Sequence, residues 1–207
     1  MLTRLPATAS ALEEAARIIR AGGIVAVPTD TLYGLAVDPF SDAAVARVFA
    51  VKGRESERGL PLIAADADQI TSTLGALPPI ARALADAFWP GPLTLLLDAP
   101  ATLAAEVSGG TGRVGVRVPA HDVARAVCRA CARVVTATSA NVSGEPAVDD
   151  PDEVERTLGP RIDALIDAGK THGGPPSTIV DVTGPTPRLV RLGAVAWTEV
   201  LACLDRA

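Results

Sequence analysis

Three cations, Lys52, Arg54 and Arg58, fall inside KGRESERG (52–59) in a chain of formal net charge −5. Like charges four apart on a helix cost roughly 0.2–0.5 kcal/mol per pair, and more where water is excluded. In an extended segment, positions 52, 54, 56 and 58 share one face as Lys, Arg, Ser, Arg, with Glu55 and Glu57 on the other. That sorting suits a polyphosphate, because guanidinium forks grip phosphate oxygens and lysine adds a point charge. The alternative is a solvated turn in which the glutamates neutralise the arginines and Lys52 offsets a helix C-terminus.

Arg117 lies inside the apolar run VGVRV (114–118). A buried guanidinium needs an anion, either a structural carboxylate or a ligand carboxylate or phosphate gripped by both guanidinium edges. PTDTLYGLAVD (28–38) offers the Thr29 and Thr31 hydroxyls, with Gly34 suited to a tight turn. SAN (139–141) can donate and accept near phosphate oxygens or close a local turn.

Other chemistries find little support. ATSANVSG lacks the G-x-S-x-G elbow of hydrolases. The two histidines, His121 at a strand–helix junction and His172 in a Gly-rich loop, read as solvated loop residues. Neither nucleotide-binding glycine fingerprint is present, and SGGTGRVG (108–115) reads as an ordinary turn. Cys128 and Cys131 form C-R-A-C, but the remaining Cys203, His121 and His172 are too scattered for a zinc site. Both cysteines read as small core residues of a helix.

The elements that must position these groups alternate along the chain. Ser10 with Glu13 suggests a capped helix carrying Leu12, Ala15 and Ile19. IVAVP (24–28) reads as a strand buried on both faces. Ser41 caps a helix that ends at Lys52 and breaks at Gly53. LPLIA (60–64), LTLLL (93–97), VGVRV (114–118) and VVTAT (134–138) read as strands. Helices open at Asp66, Pro78, Asp122 and Asp150 between and after them, and short strands in DALID, STIVDV and RLVRL precede a last helix from Thr198. In VGVRV, Val114, Val116 and Val118 share one face, Gly115 and Arg117 the other. The pattern predicts an α/β domain around one large mixed sheet, with ligand-binding loops at strand ends.

At 207 residues, 48% of them hydrophobic, the chain can bury a large core as one domain. The acidic balance argues against a broad nucleic-acid footprint, and no apolar run nears a membrane span. The N-terminal stretch lacks the apolar core of a signal peptide, so a cytoplasmic address is expected.

Taken in order, PTDTLYGL, KGR, WPGPLT, VGVRVP, ATSANVSG, STIVD and VRLG make the chain resemble the YrdC/TsaC family of threonylcarbamoyl-AMP synthases from about Ala21 to Gly193. The resemblance implies a single YrdC-like domain over 1–207, with no second C-terminal domain. Its fold would be a twisted, mixed parallel and antiparallel open sheet with flanking helices and a concave cationic cleft. It implies a nucleotidyltransferase, an L-threonylcarbamoyladenylate synthase. That enzyme joins L-threonine, bicarbonate or CO2 and ATP into L-threonylcarbamoyl-AMP and pyrophosphate. Downstream tRNA threonylcarbamoyl transferase proteins then use the product to modify an adenosine of tRNA, and a weak contact with tRNA itself is within this reading. Mg²⁺ is carried with ATP rather than held by a protein-built site.

The same resemblance places Lys52, Arg54, Ser139 and Asn141 around the ATP phosphates as the catalytic set. Arg58, Arg113, Ala147 and Arg191 are further nucleotide contacts. It places Thr31, Arg117, Ala137 and Ser177 around threonine, with Arg117 on the carboxylate. The sequence departs from the family pattern at Glu55, where proline is common, and at Ile63, where some members have a threonine-contacting histidine. Carbamate and triphosphate are both anionic, so the work expected of the protein is electrostatic and positional. Two rivals are an RNA-binding or ribosome-assembly module and a carbamoyl-adenylate enzyme of another pathway.

Overall fold

A computed structural model describes residues 2–53 and 59–206. Among them the order is β1 (Thr3–Pro6), α1 (Ala9–Arg20), β2 (Val25–Pro28), β3 (Tyr33–Ala36), α2 (Asp42–Lys52), β4 (Leu62–Ile63), α3 (Ala67–Leu74), α4 (Pro79–Phe88), β5 (Leu93–Asp98), β6 (Arg113–Arg117), α5 (Asp122–Cys131), β7 (Val135–Thr136), β8 (Thr138–Ser139), α6 (Pro151–Leu158), β9 (Ala164–Asp167), β10 (Thr178–Asp181), β11 (Arg188–Arg191) and α7 (Trp197–Leu204). Arg54, Glu55, Ser56, Glu57 and Arg58 lie outside the described residues, and with them most of the extended cationic face expected after Lys52.

The mixed α/β class holds, but the strands divide into two ladders. One runs β1-β9-β2-β3-β8, the other β11-β10-β5-β6-β4-β7. Parallel pairs (β1/β9, β2/β9, β5/β10, β4/β6) are mixed with antiparallel ones in both ladders, as expected where crossover helices and short hairpins share one fold. The split falls inside VVTAT. Val135 and Thr136 pair with β4, whereas Thr138 and Ser139 pair with β3. Thr136 Oγ1 donates to Leu35 O (3.1 Å) and accepts from Val37 N (3.0 Å), and Ala137 N donates to Pro61 O (2.8 Å). A single short segment therefore stitches the two sheets together where they diverge.

Helix starts follow the local chemistry. Ser41 accepts from Ala44 N and Asp66 from Gln69 N, and Asp150 precedes Pro151 at the first turn of α6. Two caps differ from expectation. Thr8, not Ser10, precedes α1 and makes no side-chain cap bond, and His121 rather than Asp122 caps α5. Gly34 lies within β3 opposite Val27, so the turn is 29–32 and the stretch after Thr31 is strand. Leu12, Ala15 and Ile19 of α1 pack with Ala124, Val127, Cys128 and Cys131 of α5 in one core cluster. Cys128 Sγ donates to Ile63 O at 3.6 Å, and burial pushes the Cys131 thiol up to about 11. These are inert packing groups rather than a redox pair. No helix among the described residues is long and apolar enough to cross a membrane.

Candidate functional site

The face of β6 that holds the site is set by its alternation. Val114 and Val116 point into the core, which leaves Arg113, Gly115 and Arg117 on the opposite face. β5 alternates in step: Leu93, Leu95 and Leu97 are core, while Thr94 and Leu96 face the same way as Gly115. Together with β4, β8, β10 and β11 these strands wall a cavity of about 630 Å³. Thr31, Arg113, Arg117, Ala137, Ser139, Ser177 and Arg191 all line it, as does Ile63. The described lining includes three arginines and no acidic residue. Ala147 is exposed and outside that lining.

Arg117 is a buried cation with its partner on one side only. Nη1 donates to Asp30 Oδ1 (2.9 Å) and Oδ2 (3.0 Å), and the two side chains are 11% and 14% exposed. No other hydrogen bond joins Arg117 to the described residues, and none of its nitrogens is a buried atom lacking a partner. The remaining guanidinium edge is thus open to the cavity. Burial lowers the Arg117 pKa against the opposing pull of Asp30, yet arginine remains charged at any ordinary pH. Asp30 itself stands between two lining residues, Thr29 and Thr31. The 29–32 turn is held by Thr29 Oγ1 donating to Leu32 O (2.7 Å) and by Thr171 Oγ1 and Gly173 N donating to Thr31 O (2.7 and 3.0 Å).

Ser177 and Arg191 form another part of the wall. Ser177 Oγ and Thr94 Oγ1 share a hydrogen bond of 2.8 Å, while Arg191 Nη2 donates to Ser177 O (2.7 Å) and Oγ (3.2 Å). Gly193 makes this approach feasible, since a Cβ there would collide with the Pro176 carbonyl oxygen. Burial lowers the Arg191 pKa.

Lys52 is 2% exposed and stands behind the Ser139 wall. Its ammonium donates to Ser139 O (2.6 Å), Asn141 O (3.0 Å) and Asn141 Oδ1 (3.0 Å). Ser139 Oγ donates to the same Asn141 Oδ1 (2.6 Å), and Asn141 Nδ2 to Glu145 O (2.6 Å). Lysine, serine and asparagine thus form one connected group whose outer member, Ser139, faces the cavity. A divalent ion would have to compete with the ammonium for Asn141 Oδ1. Among the described residues no three His, Cys, Asp or Glu side chains could hold a metal.

The cavity also takes residues that sequence reasoning missed. Thr94, a lone hydroxyl on one face of an apolar strand, was detectable by alternation. Ser108 and Thr111 come from the glycine-rich turn and line the cavity. His121, expected as a solvated loop residue, is instead half-buried and outside the described lining; its Nδ1 is a buried atom with no partner among the described residues, and burial pushes its pKa down. His172 is exposed.

Arg113 reaches past the cavity to Asp181, a buried carboxylate that also receives Arg188; the two contacts are 2.8 and 2.6 Å. Burial works to raise its pKa, but the Thr183 hydroxyl, Arg188, the Thr183 amide and Arg113 prevail and bring it from 3.8 to about 2. The folded-state value is depressed, so the stabilisation is complete above the unfolded value and is lost as pH falls through the folded one. It amounts to roughly 2 kcal/mol at neutral pH. The stability gap between wild type and Asp181→Asn in urea melts should therefore be widest at pH 7 and shrink between about pH 4 and pH 2. A gap independent of pH would contradict this account.

The family model described as "Telomere recombination", Sua5_yciO_yrdC, matches residues 17–193. The chain belongs to the Sua5–YciO–YrdC family. Among its relatives, the threonylcarbamoyl-AMP synthase of Pyrococcus abyssi is 37% identical over 186 residues, which is 90% of this chain and 55% of the relative. The threonylcarbamoyl-AMP synthase of Halorhodospira halophila is 43% identical over 155 residues, 75% of this chain and 81% of the relative. The solved structure of P. abyssi Sua5 complexed with L-threonine superposes with a TM-score of 0.91 at 33% identity, over 99% of this chain and 61% of that one. The chain thus spans little more than half the length of the Pyrococcus protein.

Proposed function

We propose that this Sua5–YciO–YrdC chain is an L-threonylcarbamoyladenylate synthase, a nucleotidyltransferase that uses L-threonine, bicarbonate or CO2, and Mg²⁺-bound ATP. Its product would be taken up by downstream proteins that transfer the threonylcarbamoyl group to tRNA. The observation that carries the reading is the open edge of Arg117, facing a cavity whose described lining holds two further arginines and no carboxylate. Such an arrangement suits two anionic reactants brought side by side.

In this reading Arg117 receives the threonine carboxylate. Thr31 and the Ser177–Thr94 hydroxyl pair orient the amine and hydroxyl, and Ala137 borders the amino acid. Arg54, Arg58, Arg113, Ala147 and Arg191 belong to the nucleotide side, and Lys52 with Asn141 sets Ser139 against the phosphates. The threonine ammonium first loses a proton, the resulting amine nitrogen bonds to the carbon of CO2, and a second proton leaves to solvent as the carbamate forms. A carbamate oxygen then attacks the α-phosphorus, and the bond from phosphorus to the pyrophosphate oxygen breaks. Arginines on both sides offset the charge that builds between the reactants.

The test is mass spectrometry of protein incubated with ATP, Mg²⁺, bicarbonate and threonine. A threonylcarbamoyl adenylate and pyrophosphate should appear together and require threonine. Valine matches threonine in shape but leaves the hydroxyl partners unpaired, so it should give little adenylate. Pyrophosphate release indifferent to threonine would overturn the proposal.

A further inference from the structure

Arg117 does not meet the cavity as a bare cation. Asp30 takes both of its hydrogen bonds on Nη1 (2.9 and 3.0 Å) and is itself only 14% exposed in its side chain. It is not part of the cavity lining, although Thr29, Thr31 and Arg117 around it are. It therefore acts on a cavity occupant through Arg117 and through its own field. A lone arginine would attract any carboxylate. Arginine paired with aspartate is a neutral couple with its positive end toward the cavity, and its negative end repels whatever anion binds there. A ligand that brings its own cation beside its carboxylate recovers that loss, because the cation is drawn to Asp30.

We propose that Asp30 is the residue that makes this site select α-amino acid zwitterions over plain carboxylates, besides positioning the Arg117 guanidinium. The inference rests on the proposed use of the cavity for threonine and adds to it the origin of the preference for an ammonium group. Fixed complementarity of this kind is discrimination by a repulsive element as well as an attractive one.

The test is calorimetric binding without ATP. The ligands are L-threonine and the 2,3-dihydroxybutanoate of matching stereochemistry, in which a hydroxyl replaces the amine. Wild-type protein should prefer threonine by about tenfold or more. In Asp30→Asn the preference should fall to within about twofold, chiefly because the hydroxy acid binds better relative to threonine. Asp30→Glu, which keeps the charge, should restore it. Asp30→Ser supplies the same comparison if thermal melting finds the Asn variant unfolded. An Asn variant that weakens both ligands equally and keeps the wild-type preference would overturn the inference and reduce Asp30 to a structural partner. Wild-type protein that binds neither ligand would overturn the threonine assignment, and this inference with it.

Discussion

Replacing Arg117 with alanine should raise the KM for threonine by about 10²–10³-fold while leaving the KM for ATP within a few-fold, because truncating one side of a buried charged contact costs about 2–5 kcal/mol. The asymmetry follows from position. Arg117 is held by Asp30 on one edge and is open on the other, at the end of β6 nearest the Thr31 turn. Arg191 and Ser177 form another part of the wall. The substitution has a second consequence that must be separated from the first. It leaves Asp30 charged and buried without its partner, and breaking a buried pair costs about 3–5 kcal/mol of stability. Arg117→Ala should therefore melt early as well as bind poorly. The double variant Arg117→Ala/Asp30→Asn removes the stranded charge, so it should recover much of the stability and none of the threonine affinity. Steady-state kinetics in each substrate, with thermal melts of both variants, reads the two effects apart. Equal rises in both KM values would mean that Arg117 does not receive the amino acid.

How far this site could be read from sequence differs from residue to residue. The period of two in VGVRV was enough to set Arg117 on the face opposite Val114 and Val116, because a strand's side-chain direction is local. The caps at Ser41, Asp66 and Asp150 were legible for the same reason. What local pattern could not supply was the partner. Asp30 and Arg117 are 87 positions apart, as are Lys52 and Ser139, and only the sheet order brings them together. The two ladders escaped notice because VVTAT looks like one strand. Its break at Ala137 comes from the Thr136 hydroxyl bonding Leu35 O and Val37 N while the Ala137 amide bonds Pro61 O. β1 was missed because TRLP is short and three of its four residues are exposed, and β3 because a threonine-, aspartate- and glycine-bearing stretch reads as turn. In each case tertiary pairing outweighed local preference.

Lys52 illustrates the same limit with the larger mechanistic consequence. Charge and spacing suggested a lysine held for phosphate, but the side chain is 2% exposed and its ammonium donates to Ser139 O, Asn141 O and Asn141 Oδ1, with a longer contact to Ser139 Oγ at 3.5 Å. Its own carbonyl accepts from Ser143 N at 2.9 Å, which binds the end of α2 to the same loop. Removing the ammonium leaves Asn141 Oδ1 its bond from Ser139 Oγ and Ser139 O its bond from Asn141 N, but takes from Asn141 O its donor among the described residues, at about 1–3 kcal/mol. Lys52→Ala should accordingly lower the rate about 10²–10³-fold, the scale of losing one preorganised electrostatic donor, and lower the melting temperature as well. Lys52→Met retains most of the buried stem and should recover part of the stability without the rate. The loop makes the sharper test. If Lys52 works by holding Ser139 in place, Ser139→Ala should cost much less in the Lys52→Ala background than in the wild type, since residues acting as one unit are non-additive. Additive losses would mean that the ammonium and the hydroxyl serve the reaction separately. A Lys52→Ala rate within tenfold of wild type would remove Lys52 from the mechanism and leave the cavity's own arginines to carry the phosphate charge.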